Sequence, residues 1–171
     1  NPEDVIFLAH STTQATNALL EGDVAHVGII ATGGKGLSSL LIKSQTKLGN
    51  LPLVTGRYIE THTRYIDKQN LNEASVRKAI QSMRAEGAEI IVASEVYGVD
   101  DGEGEKLIAK VAKEEGLNVT QASEISKLYG LTTRTRTAAV NASILPKMLD
   151  TANSTENSVK ATGIQAPLMI M

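Results

Sequence analysis

The chain has no cysteine and no tryptophan, and it is poor in the other aromatic residues. Its 171 residues include four Tyr and one Phe. Without cysteine, the chain has no disulfide framework, no thiolate metal site and no Cys nucleophile. The scarcity of aromatic rings argues against the stacking platforms that bind single-stranded nucleic acid.

A strong net charge and long apolar runs are also missing. The formal net charge of -2 at pH 7 gives no electrostatic basis for binding nucleic acid or a membrane surface. No apolar run approaches the ~20 residues of a membrane span, and the first residues lack the layout of a secretion signal. We therefore expect a cytoplasmic protein with neither a nucleic acid nor a membrane as partner. Its hydrophobic content of 42% suffices for one core or two small joined ones.

Strand-like and helix-like segments alternate along the chain. The apolar runs Val24 to Thr32, Ile90 to Ala93 and Val119 to Ala122 are typical of buried strands. Amphipathic segments with helical periodicity separate them. This alternation predicts a layered α/β fold with a mainly parallel sheet and flanking helices. The polar stretch 67–72 is the best candidate for a subdomain boundary.

Individual helices and an edge strand can be predicted from their apolar positions. Asn72 is expected to cap a helix, and Gly87 to close it. A later helix passes Pro146, which predicts either a kink or the start of a second helix. The alternation near His62 favours an edge or antiparallel strand that is half open to water. The apolar sides of two helices are expected to consist of Leu37, Leu40, Leu41 and Leu48, and of Val76, Ala79, Ile80 and Met83.

A polar site is predicted where the first strand ends. The apolar run from Val5 to Ala9 leads to His10, Ser11, Thr12 and Thr13, and Ser11 with Gln14 fits a helix capping box. Thr13 and Asn17 are four residues apart, so both side chains lie beside free amides at a helix N-terminus. This arrangement suits an anion or a polar ligand. An ordinary capped loop between strand and helix is the alternative.

A second group of polar residues lies on the long C-terminal helix. Arg134, Thr137 and Asn141 are spaced i, i+3 and i+7, which puts them on one helix face. Burying a guanidinium without partners is costly, so Arg134 must find partners in the folded protein. A structural anchor and a binding site are both consistent with this pattern.

Three segments resemble the hydantoinase/oxoprolinase family. They are HSTTQATNALLEG, the following VAHVGIIATGG, and LYGLTTRTRTAAVNASILP, with Ser11 standing where the family usually has Gly. Family members are ATP-dependent enzymes that open or carboxylate cyclic amides and related carbonyl compounds. Their fold is similar to that of actin and the sugar kinases. The resemblance implies Mg-ATP as cofactor of the parent protein, a cyclic amide or related carbonyl compound as substrate, and a second subunit. It implies substrate contacts from His10, Thr12, Thr13, Asn17, Arg134 and Asn141.

The Asp-Gly-Gly-Thr turns that hold nucleotide phosphates in this family have no counterpart in the sequence. By resemblance, one belongs before the His-Thr-Thr segment and the other directly after the strand 167–171. We therefore expect an excised piece of a larger enzyme that is inactive alone and holds no cofactor. The alternatives are a non-catalytic activator or chaperone-like ATPase of the same superfamily, and a small independent α/β binding domain.

Other motifs are weaker. The loop 33–36 fails as a P-loop because Ile29 occupies the first Gly position and Gly36 follows Lys35. Its amides and Lys35 could hold a phosphate or carboxylate, although a simple chain reversal is the plainer interpretation. The spacing of His10, His26 and His62 predicts no metal site. Glu105 belongs to an acidic group at a helix start, where it suits the helix dipole and matches a Glu that the family often carries.

Overall fold

The computed structural model describes residues 2–10, 13–54 and 56–170. Residue 170 is described by its backbone only. The strands are β1 (Leu8–His10), β2 (Val27–Thr32), β3 (Leu51–Pro52), β4 (Tyr58–Ile59), β5 (Thr61–Ile66), β6 (Ile90–Glu95), β7 (Asn118–Gln121) and β8 (Leu168–Ile170). The helices are α1 (Gln14–Glu21), α2 (Leu37–Thr46), α3 (Glu73–Ala85), α4 (Glu103–Glu114), α5 (Ala122–Ile125) and α6 (Leu131–Ala161). Two short 3-10 helices span Pro2–Asp4 and Lys68–Asn70.

The main sheet has four parallel strands in the order β5-β2-β6-β7. Every residue of β2 and β6 is buried, which explains the apolar runs in β2 and in the first four residues of β6. β1 and β8 form a separate parallel pair, and β3 and β4 form a small antiparallel one. The predicted α/β fold with a mainly parallel sheet and flanking helices is confirmed.

Two hydrophobic clusters cover the two faces of this sheet. On one face, Ile30 and Ile91 pack with residues of α3 and α4 such as Ile80 and Val111. On the other, strand residues pack against three alanines of α6, Ala138, Ala139 and Ala142. Small side chains let the helix backbone approach the sheet closely. The sheet is therefore covered on both sides, as a parallel sheet requires.

Several helix predictions are confirmed and one is wrong. Asn72 caps α3 through a reciprocal capping box with Ser75, and the predicted apolar positions of α3 are all buried. In α2, however, Leu37, Leu40 and Leu41 are 84%, 65% and 67% exposed. The buried residues of this helix are Ile42 and Thr46, a pair four residues apart. The leucine stripe thus lies on nearly the opposite side of the helix from the residues that meet the sheet.

Two strands also differ in detail from the sequence predictions. β5 is an edge strand, as predicted, but it runs parallel to β2. Because the crossover from β2 to β5 includes α2, it is long enough to return the chain in the same direction. The other difference is that β1 begins at Leu8 rather than Val5.

The α6 helix continues through Pro146 without a break. A proline ring donates no hydrogen bond and crowds the preceding turn. Beside it, the Ser143 carbonyl accepts a hydrogen bond of 2.8 Å from the backbone N–H of Ala25. The chain just before β2 is thereby attached to the middle of the helix. Among the helices of the described residues, none combines the length and apolar composition that crossing a bilayer requires.

Candidate functional site

The carboxyl ends of β2, β5 and β6 meet at one edge of the sheet, where parallel α/β sheets place their ligands. The loops that follow β2 and β5 border a surface cavity of 340 Å³. We call it the loop cavity. Its lining residues are Gly34, Lys35, Gly36, Ser39, Leu40, Asp67, Gln69 and Asn70.

Glycine is required at position 33, directly before the residues that line the loop cavity. Gly33 has a φ of 122°, and a Cβ atom there would lie 2.4 Å from Cγ1 of Val96. Tyr65 donates its hydroxyl hydrogen bond to the Gly33 carbonyl and also lies 3.2 Å from Asp67 Oδ1. Burial is the main cause that raises the pKa of Tyr65. Tyr65 therefore holds the backbone of the loop at Gly33, while the side chain of Lys35 is exposed.

A buried carboxylate with a lysine partner lies at the same edge. Glu95, the last residue of β6, accepts a 2.9 Å hydrogen bond from the backbone N–H of Gly104 through Oε2. Its Oε1 lies 3.0 Å from Nζ of Lys68 and forms an ion pair with it. Among the described residues, Oε1 accepts no hydrogen bond of good geometry. Contacts with Glu95 and then with Asp101 raise the pKa of Lys68. Neither Glu95 nor Lys68 was predicted from the sequence, although a Glu at the end of a buried strand is a usable signal.

Glu105 connects three elements behind this edge. It is fully buried, and Oε1 accepts a hydrogen bond from the backbone N–H of Glu95. Oε2 accepts hydrogen bonds from both the N–H and the hydroxyl of Ser123, at 3.0 and 2.7 Å. The carboxylate therefore joins α4 to β6 and α5. This is a larger structural role than the predicted one at the helix start.

Arg134 is buried and bonded to the backbone. Its guanidinium donates hydrogen bonds to the carbonyls of four residues: Leu128, Tyr129, Glu95 and Val96. Burial lowers the pKa of Arg134, and the negative charge of Glu105 partly opposes that effect. The partners that the sequence required are thus the chain before α6 and the end of β6. Among the described residues, the Nε atom has no hydrogen-bond partner.

The predicted residues of the first site lie around β1 and α1. His10 ends β1 opposite Ile170 of β8 and is half-buried. Thr13 is the N-cap of α1 but makes no side-chain capping bond, and its Oγ1 accepts a 3.4 Å hydrogen bond from Asn17 Nδ2. Gly22 ends the helix in the left-handed conformation, as predicted. Ser11, with its predicted capping box, and Thr12 lie outside the described residues.

The two predicted groups are not joined by direct contacts. Asn141 borders an open, mainly apolar groove of 450 Å³ between α5 and α6. The C-terminal end of α1 meets α6 farther along, where Asp23 pairs with Lys147. Within residues 2–10, 13–54 and 56–170, no hydrogen bond or ion pair connects Thr13 or Asn17 with Arg134. Their convergence on one cleft therefore stays a prediction.

The comparison with protein-family models identifies one family. The model of the hydantoinase/oxoprolinase N-terminal region matches residues 1–116. A search of curated proteins found no match.

Two solved structures share the fold. The ATP-dependent caprolactamase from Pseudomonas jessenii has a TM-score of 0.69 and 22% identity over 99% of this chain. A nucleotide-free acetone carboxylase, described in terms of ATP-dependent acetone carboxylation, has a TM-score of 0.62 and 18% identity over 95%. The chain covers 27% of each of these two proteins.

Proposed function

Because this chain belongs to the hydantoinase/oxoprolinase family, we propose that the whole protein is an ATP-dependent enzyme that opens a cyclic amide or a related carbonyl compound. The family match over residues 1–116 is the observation that carries this proposal. The fold shared with an ATP-dependent caprolactamase supports it, since that neighbour acts on a cyclic amide. Mg-ATP, a second subunit and a cytoplasmic location are part of the same proposal.

The described residues do not fit Mg-ATP by themselves. The loop cavity presents one cation, Lys35, and the carboxylate of Asp67 borders the same space. A triphosphate carries several negative charges, and the single lysine that lines this cavity does not neutralise them. We therefore infer that this chain is inactive alone.

We infer that the chain contributes substrate contacts and the structure that positions them. His10, Thr12, Thr13, Asn17 and Asn141 are the proposed contact residues. Arg134 is proposed as a positioning residue, because its bonds go to backbone carbonyls. Hydrogen-bond donors fixed in advance around a carbonyl stabilise the charge that develops on its oxygen during ring opening.

The reaction class is tested on the full-length protein by measuring ATP hydrolysis with and without hydantoin, 5-oxoproline and caprolactam. We expect at least one cyclic amide to stimulate hydrolysis and to be opened in proportion to the ATP consumed. Hydrolysis that no cyclic amide changes would favour an activator or chaperone-like ATPase. A full-length protein that neither binds nor hydrolyses ATP would support a small binding domain instead.

The proposed substrate contact of Thr13 is tested by Thr13→Ala. Because Thr13 is exposed and makes no capping bond, this change should alter the unfolding free energy by less than about 0.5 kcal/mol. Loss of one hydrogen bond to substrate, about 1 kcal/mol, should lower kcat/KM about fivefold to tenfold.

The matched control for Thr13→Ala is Thr16→Ala, an exposed threonine on the same helix, which should keep full activity. Equal activity of both variants would remove Thr13 from the site. If Lys35→Gln then lowers kcat/KM, the substrate site belongs to the loop cavity instead.

A further inference from the structure

Two histidines and a glutamate meet at the amino edge of the sheet, at the opposite end of the strands from the loop cavity. One potential ligand atom from each of His26, Glu60 and His62 lies within 4.8 Å of the other two. His26 Nδ1 is 3.7 Å from Glu60 Oε2. Two imidazoles and one carboxylate form a ligand set typical of zinc and related divalent metals. We call these three residues the amino-edge cluster.

The pairing of β2 with β5 brings the cluster together. Val27 is in register with Thr61, and Gly28 with His62, so His26 and Glu60 lie side by side just before their strands. The backbone N–H of Val27 donates a 2.9 Å hydrogen bond to the Glu60 carbonyl. Glu60 and His62 are two residues apart on extended chain and therefore project from the same face. The central sheet itself thus fixes the spacing of the three side chains.

His62 is oriented for metal binding by a second carboxylate. Its Nδ1 lies 3.3 Å from Glu86 Oε2, which favours a proton on that nitrogen. The other nitrogen, Nε2, is buried and has no hydrogen-bond partner among the described residues. A buried nitrogen without a partner is destabilising, and a metal ion would satisfy it. In many zinc sites, a histidine binds the metal through one ring nitrogen and donates the N–H of the other to a carboxylate.

His26 is held in place through its backbone. Its N–H donates a 3.0 Å hydrogen bond to Glu89 Oε1, and its carbonyl accepts one of 2.9 Å from the N–H of Glu89. The side chains of His26 and Glu60 are 41% and 51% exposed, so an ion can enter from solvent. Glu60 and Glu89 also add negative charge beside the cluster, which attracts a cation, whereas the charge of Glu86 is paired with Arg64.

We propose that His26, Glu60 and His62 bind one divalent transition-metal ion, with Zn²⁺ as the best match to the ligands and water completing the coordination. The six residues of β2 separate this site from the loop cavity by about 20 Å. The ion fastens the edge strand β5 to β2 and stabilises the fold. It takes no part in the proposed reaction.

Zinc binding is measured by calorimetry on the chelator-treated full-length protein, with Tm as a second measurement. We expect Zn²⁺ to raise Tm, and His62→Gln to remove one equivalent of bound zinc. Glu86→Gln leaves all three ligands in place and should weaken binding about 10- to 100-fold, since it removes the carboxylate that orients His62. The same change also removes the ion pair of Glu86 with Arg64 at the surface. The matched control is His10→Gln, which changes the third histidine of the chain and should keep the wild-type stoichiometry.

Glu60→Gln provides a test if the histidine variants fail to fold, because its side chain is half exposed. It should also remove the equivalent of zinc while leaving the metal-free Tm unchanged. Co²⁺ should give the visible spectrum of a nitrogen- and oxygen-ligated site, which His62→Gln abolishes. Unchanged zinc stoichiometry and Tm response in both His62→Gln and Glu60→Gln would overturn the proposal and leave these contacts as ordinary ion pairs. Since no measurement here uses catalysis, this result is independent of the proposed function.

Discussion

Arg134→Met is expected to lower the unfolding free energy by about 3–5 kcal/mol, the range for removing one partner from a buried charge network. The guanidinium holds four backbone carbonyls that come from two separate segments. Met fills similar volume but donates nothing, so those carbonyls lose a charged donor. It also leaves the buried Glu105 without the nearby positive charge. Urea unfolding monitored by circular dichroism measures the change.

Arg136→Met is the matched control, because Arg136 lies two residues away on the same helix and is exposed. Its effect should stay within about 0.5 kcal/mol. Arg134→Lys should recover only part of the loss, since one ammonium group cannot reach two separate pairs of carbonyls. Equal stability of the Arg134→Met and Arg136→Met variants would contradict an anchoring role for Arg134.

Glu105→Gln is expected to cost about 2–4 kcal/mol although it changes almost no volume. Both carboxylate oxygens accept hydrogen bonds, from Glu95 on one side and Ser123 on the other. The amide nitrogen of Gln must face one of these donors, so at least one buried N–H or hydroxyl loses its acceptor. Removing the negative charge also withdraws the electrostatic support of Arg134.

Glu103→Gln serves as the comparison, since Glu103 occupies the same helical turn but is exposed. Its ion pair with Lys106 lies at the surface and should contribute little to stability, since solvent screens exposed charges. Because Glu105 and Arg134 interact, the double variant should be destabilised by less than the sum of the two single changes. Strict additivity would show that the two side chains act independently.

Periodicity predicted the fold well where one face of an element is buried. The helix capped by Asn72 and the buried strands around Ile29 and Ile91 are found where the sequence placed them. It failed for α2, where the leucine stripe and the buried stripe differ. Periodicity reports which side of a helix is apolar. It does not report whether a neighbouring element covers that side.

The chemistry of single residues was predictable, but their partners were not. That Arg134 needs partners follows from the cost of burying its charge. Its acceptors at Glu95 and Val96 lie 39 and 38 residues away in the chain. Likewise, His26 and His62 form no sequence motif, and only the register of β2 and β5 brings them together. Contacts of this kind depend on strand order, which a single sequence does not specify.

The pairing of β1 with β8 also determines how the molecule bears mechanical load. Leu8 lies beside Leu168, and the two strands point in the same direction. A tension applied to the first and last segments of the chain therefore pulls these strands past each other lengthwise, so that their interstrand hydrogen bonds resist together. The paired strands β1 and β8 would therefore have to separate before the force acted on the four-stranded sheet.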